Sequence, residues 1–197
     1  SPVAVPGTAE AGSHVSAYRV AELSAVLATA TAGAPPGSFT LQIPLVTNAE
    51  NHVTIVATGA GGLGLTSAPA DASIVHDDVP PSLRIMQPLV GAFVRQVATL
   101  VARAADGGSG VASVVFTLDG QTLGTLMNPD PLQVFPASLA FDSTRVVDGV
   151  HALAVTAHDR AGNVGSAAQS ISVDNTAPET EITTGPAGEL ADTTATF

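Results

Sequence analysis

The sequence predicts an all-β chain of β-sandwich domains in tandem, and three observations carry the prediction. Apolar residues fall in short runs rich in Val, Leu, Ile and Thr, closed by Gly, Asp, Asn or Pro. Turn signals separate the runs at roughly 8–12 residues, the rhythm of a sandwich. Segments also repeat: HDDVPPSLRI (76–85) aligns without a gap with VDNTAPETEI (173–182), 97 residues later.

In chain order, VAELSAVLATATA (20–32) is the one segment with helical propensity. Thr29, Thr31 and the following GAPPG favour strand and turn there. NHVTIVATGAGG (51–62) aligns with HALAVTAHDRAG (151–162) at an offset of 100, so the two copies differ slightly in their final strand or loop. QVATLVARA (96–104), ASVVFTLDG (112–120), HALAVTAHD (151–159) and AQSISVD (168–174) read as strands. The pleat sends Leu153 and Val155 to one face. Asp119-Gly120 is a hairpin signal, because both residues accept positive φ. The chain therefore divides into a first domain (1–76), a linker (77–81), a second domain (82–174), and a linker with the start of a third copy (175–197). It reads as a segment of a longer protein.

Composition narrows the function. Hydrophobic residues make up 45% of the 197 and aromatics 4%, so cores are built from small aliphatic units. The net charge is −11, and the 6 basic side chains are scattered arginines. No basic stripe is available to neutralise phosphates, so nucleic acid is not an expected partner. No stretch reaches the roughly 18 apolar residues of a membrane helix, so no membrane insertion is expected. The absence of cysteine excludes disulfides and thiolate metal sites. No GxSxG elbow, P-loop or HExxH motif is present, no deep cleft is implied, and the expectation is a protein that is not an enzyme. Sugar platforms need exposed rings; Tyr18 is the one candidate, since the six Phe sit mostly in strand patterns that a core would claim.

GVASVVFTLDG (110–120), FDSTRVVDGVHALAVTAHDRAGNVG (141–165) and VDNTAP (173–178) closely resemble the bacterial immunoglobulin-like repeats found in tandem in large secreted and cell-surface proteins. PGTAEAGSHVSAYR, GSFTLQIPL and NHVTIVATG in the first domain resemble a related variant. The resemblance implies seven-stranded immunoglobulin-like Greek-key sandwiches joined by short Pro-containing linkers. Strand A would be 82–87, B 96–104, C 112–118, E about 134–141, F 150–158 and G 166–174. Val101, Val115, Leu139, Leu153 and Val155 would fill the second core in place of a disulfide and tryptophan.

That topology places the linker, the B–C loop and the F–G loop at one pole of the second domain. Asp77, Asp78, Asp106, Asp159 and Asn163 would then approach a single interdomain junction. Calcium takes six to eight oxygen ligands, so calcium is the cofactor this set suits; some related tandem repeats bind it at such junctions. The competing reading is that the same residues make Asx turns onto their own backbone. A zinc reading through His76-Asp77 and His158-Asp159 lacks any ligand spacing in its favour. The resemblance implies an exported spacer, such as an adhesin-like stalk or extracellular fibre, that presents distal domains away from the cell. Its partners would be neighbouring repeats of the same chain, other copies in a fibre, or a cell-surface partner. A strand-exchange filament subunit and an accessory carbohydrate-binding module of a secreted hydrolase are the alternatives.

Overall fold

A computed structural model describes residues 2–20, 22–34, 37–61, 64–130, 133–181 and 183. The first half carries β1 (Pro2–Thr8), β2 (His14–Arg19), β3 (Glu22–Thr31), β4 (Ser38–Pro44), β5 (Ala49–Thr58) and β6 (Ala70–His76). These form a β1-β4 pair facing a β3-β2-β5-β6 sheet. The segment with helical propensity is therefore strand β3, antiparallel to β2. Pairing with a neighbour overrides propensity here, as it commonly does.

The second half carries β7 (Ser82–Gln87), β8 (Phe93–Val94), β9 (Val97–Ala105), β10 (Val111–Leu118), β11 (Gln121–Met127), β12 (Val134–Asp142), β13 (Gly149–Asp159) and β14 (Val164–Val173). They form a β12-β9-β7 sheet and a β11-β10-β13-β14-β8 sheet. Asp119 and Gly120 adopt φ of 48° and 81° and close the β10–β11 hairpin. The sequence reading had the turn but not β11, whose QTLGTLM is too mixed to announce a strand. Of the expected third repeat, residues 182 and 184–197 lie outside the described residues.

Each half buries its own apolar cluster. In the first, Val15, Ala17, Leu41, Ile43 and Val53 are sealed. In the second, Leu100, Ala102, Ala104, Val114, Phe116, Leu153, Val155, Ala157 and Ile171 are all at 0% exposure. The expected core was right for Leu153 and Val155, while Leu139 packs only half-buried against it. It was wrong for Val101 and Val115. On β9 the inward residues are Leu100, Ala102 and Ala104, and Val101 pairs with exposed Ser138 on the outer face. On β10 a bulge between Val111 and Ser113 resets the alternation, so Val114 and Phe116 point inward. A slip of one residue exchanges the faces of a whole strand, and runs such as Leu100-Val101 and Val114-Val115 hide which face is which. Tyr18 is half-buried, whereas Phe93, which lies in none of the expected strands, stands 78% exposed on the short edge strand β8.

His151 on β13 ties the β10–β11 turn to the loop before β13. Its Nδ1 lies 2.6 Å from Asp119 Oδ2 and its Nε2 2.8 Å from the Val147 carbonyl. With acceptors on both sides the ring is best satisfied when doubly protonated. The Asp119 bond first, and the Val147 carbonyl second, raise the His151 pKa above its ordinary 6.5. A raised folded value stabilises below the unfolded pKa and is lost as pH climbs through the folded one. The melting temperature of the second domain is thus expected to fall as pH rises above about 6.5 and through the raised folded value, and His151→Gln to flatten that slope.

Candidate metal centre

β13 ends at Asp159, and the chain turns sharply into β14. Asp159 Oδ1 accepts from Gly162 N–H (2.7 Å) and Asn163 N–H (2.8 Å), while Oδ2 accepts from Asn163 Nδ2 (2.8 Å). β9 runs into Asp106, whose Oδ1 accepts from Gly110 N–H (2.6 Å) and Gly108 N–H (3.2 Å). Both residues are Asx-turn carboxylates of the kind the sequence suggested, and both are 4% exposed. Asp77 arrives from the segment between β6 and β7. Its Oδ2 accepts from Ser109 N–H (2.7 Å), its Oδ1 from Val79 N–H (3.1 Å), and its carbonyl from Asn163 Nδ2 (3.1 Å). Gly108 makes this approach possible: a Cβ there would lie 2.4 Å from Asp77 Cγ.

One oxygen from each of Asp77, Asp106 and Asp159 lies within 4.8 Å of the others. Turn chemistry does not account for all of this. Asp106 Oδ2 is buried with no hydrogen-bond partner, and none of the three carboxylates forms an ion pair among the described residues. Two unit charges at such a distance repel by on the order of 3 kcal/mol at an effective dielectric near 20. Burial pushes the Asp77 pKa up, but the Ser109 and Val79 hydrogen bonds, helped by nearby His76, outweigh it and hold the carboxyl below its ordinary range. An all-oxygen set with an orphaned buried oxygen fits a hard cation.

Of the five residues expected at the junction, the structure brings Asp77, Asp106, Asp159 and Asn163 together. Asn163 enters as a hydrogen-bond donor, not as a ligand. Asp78 is not part of the group: it is exposed, and its N–H bonds Asn48 Oδ1 (2.9 Å) on the first domain's side. Successive residues of an extended linker point opposite ways, so Asp77 and Asp78 could not both face the loops. Neither His76 nor His158 joins the cluster. The sequence reading missed Asn48, whose N–H bonds His76 Nδ1 (3.2 Å). Its φ of 53° suits Asn at a turn tip, and the TNAEN stretch was the available signal.

Residues 81–155 match the bacterial Ig domain family. Over those residues the second sandwich is similar to bacterial Ig domains. No curated protein matches the sequence. Among solved structures, the fibronectin(III)-like modules of Clostridium thermocellum CbhA are 17% identical, with 87% of this chain and 85% of that one covered and a TM-score of 0.45. Titin domains I67–I69 are 14% identical over 87% of this chain and 60% of that one, with a TM-score of 0.44. A Ca2+-stabilized adhesin of an Antarctic bacterium is 19% identical over 93% of this chain, with a TM-score of 0.32, and the chain spans 45% of its length. These likenesses concern the fold alone. An Ig-like domain fits a structural or spacer role, and among the described residues no helix is long and apolar enough to cross a membrane.

Proposed function

We propose that this chain is a non-catalytic spacer from an exported bacterial protein, in which Ig-like sandwiches are strung through pinned joints and hold other domains away from the cell. The observation that carries the reading is that the linker is gripped from both sides. Asn48, in the β4–β5 turn of the first domain, bonds His76 and Asp78. Ser109 and Asn163, in loops of the second, bond Asp77 between them. A free linker would make no such bonds and would leave the relative direction of the domains unset.

The same device recurs past β14. Asn175 N–H and Thr176 Oγ1 donate to Asp148, and Asn175 Nδ2 donates to the Ser143 carbonyl. In both copies the turn or loop between the strands before the final hairpin holds the departing segment, which supports serial joints with neighbouring repeats as partners. Calcium at Asp77, Asp106 and Asp159 completes the proposal, because it neutralises the three acids and ties the linker to two loops at once. Asn163 would contribute its amide oxygen if its side chain turned over.

The joint offers its own test, since a protease that cuts before aspartate has targets at Asp77 and Asp78. Cleavage there should be slow in the native chain and about tenfold faster in Asn48→Ala/Asn163→Ala, read by fragment mass. Equal rates would mean that the linker is not held, and the spacer reading would lose its basis.

A further inference from the structure

The second sandwich has four edge strands, β8 and β11 in one sheet and β7 and β12 in the other. Three of them are closed to further pairing. β8 is two residues long, and beyond it Gly165 of β14 lies against the Pro81 carbonyl. β7 carries Arg84 between Pro81 and Pro88, and β12 carries Pro136. Short strands, charges and prolines are the usual devices that keep an edge from recruiting another chain. β11 has none of them. Its seven residues, QTLGTLM, hold no charge and no proline, and among the described residues nothing pairs with its outer side.

The groups left free on β11 follow from its register. Asn128 N–H reaches the Ala112 carbonyl (2.8 Å), and Met127 stands opposite Ser113. Alternation back along the strand gives Leu126 to β10 and directs the N–H and carbonyl groups of Thr125 and Met127 outward. Both residues are exposed, Met127 at 68%. On the inner side Leu123 and Leu126, with Leu139 of β12, pack only half-buried against the core. The rim of the sandwich therefore presents unpaired main-chain groups beside partly covered leucines.

We infer that β11 pairs with β11 of a second copy, antiparallel about a two-fold axis at Thr125, and so joins spacers side by side. On that axis each Thr125 N–H donates to the Thr125 carbonyl of the other copy. The register sets Leu126 opposite Gly124 of the second copy, bulk against gap, and the symmetry repeats the fit. Because Gly124 lies against Leu139, the half-buried leucines of the two copies cover one another. Main-chain bonds to an exposed edge supply affinity and the side chains supply selectivity. Charge favours a second copy as the occupant. At a net charge of −11 two copies meet without like-charge cost only along an uncharged line, and a cationic foreign strand would find no acid on this edge. Asp119, at one end of β11, is turned to β13, where it accepts from Ala152 N–H (2.8 Å) and lies 2.6 Å from His151 Nδ1. At the other end Arg160 donates to the Asp130 carbonyl (3.0 Å), which sets a cation beside the acid there. One strand pair buries less than a tight dimer needs, so dilute chains stay single and pairing grows with concentration.

Sedimentation equilibrium from about 10 μM to about 1 mM tests the pairing. The native mass is expected to rise from that of one chain towards that of two. Thr125→Lys keeps the bonds to β10 and sets two cations on the axis, so it should stay at one chain and melt as the native protein does. In a chain without cysteine, Thr125→Cys should form a disulfide-linked dimer about tenfold faster than Ser166→Cys, on the exposed outer face of the same sheet. A native mass fixed at one chain up to about 1 mM would overturn the inference. So would Thr125→Lys associating as the native chain does. Ser166→Cys linking as fast as Thr125→Cys would also overturn it, because the copies would then meet through sheet faces.

Discussion

Phe116→Ala is expected to destabilise the second domain by about 3–5 kcal/mol and to leave the first domain's melting unchanged. Phe116 is the largest fully buried side chain, packed where β10 meets β13. Its removal loses the transfer free energy of a phenyl ring and opens a cavity that its cross-strand partner Val155 and the rest of the sealed cluster cannot fill without leaving their strands. The two apolar clusters share no residue, so calorimetry should resolve two transitions, only one of which moves. For a domain of this size the shift is roughly ten degrees or more. One transition moving as a whole would mean a merged core and would remove the tandem description.

Asp106→Asn is expected to reverse its effect with calcium. Without the ion the native carboxylate is buried with one oxygen unpartnered, beside two further acids. The amide keeps an acceptor for the Gly108 and Gly110 N–H groups and offers Nδ2 to Asp77 or Asp159. In EDTA the variant should therefore melt at or above the native protein. With calcium at about 100 times its dissociation constant the native protein gains about 2.7 kcal/mol, and the variant gains little. The order of stability crosses between the two conditions. Asp78→Asn, outside the cluster, should respond to calcium as the native chain does. Native melting that ignores calcium and EDTA alike would remove the ion from the account.

The fold was legible because its signals are local and redundant. The HALAVTAHD run, the Asp119-Gly120 turn and the 97-residue repeat each point to the same architecture, and β9, β10, β12, β13 and β14 lie within a few residues of their expected bounds. What could not be read was which face each strand buries. Val101 and Val115 sit in runs where neighbouring residues are equally apolar, and only partner strands decide between them. The bulge at Val111–Ser113 carries no sequence signal of its own. At the junction, the turn chemistry of Asp106 and Asp159 was visible in their glycine neighbours. The exclusion of Asp78 was not, because it depends on which side of the linker faces Ser109. Asn48 was missed because its role lies in a contact to a residue 28 positions away.

The proposed joint fixes two separate sandwiches, and tightens if Asp77, Asp106 and Asp159 share a cation. Spin labels at Thr40→Cys and Thr122→Cys, on exposed faces of β4 and β11 in a chain otherwise free of cysteine, report the distance across that joint by pulsed dipolar spectroscopy. A narrow distribution in calcium that broadens in EDTA, and stays broad in Asp77→Ala, is the predicted result. A broad distribution indifferent to calcium and to Asp77 would contradict it.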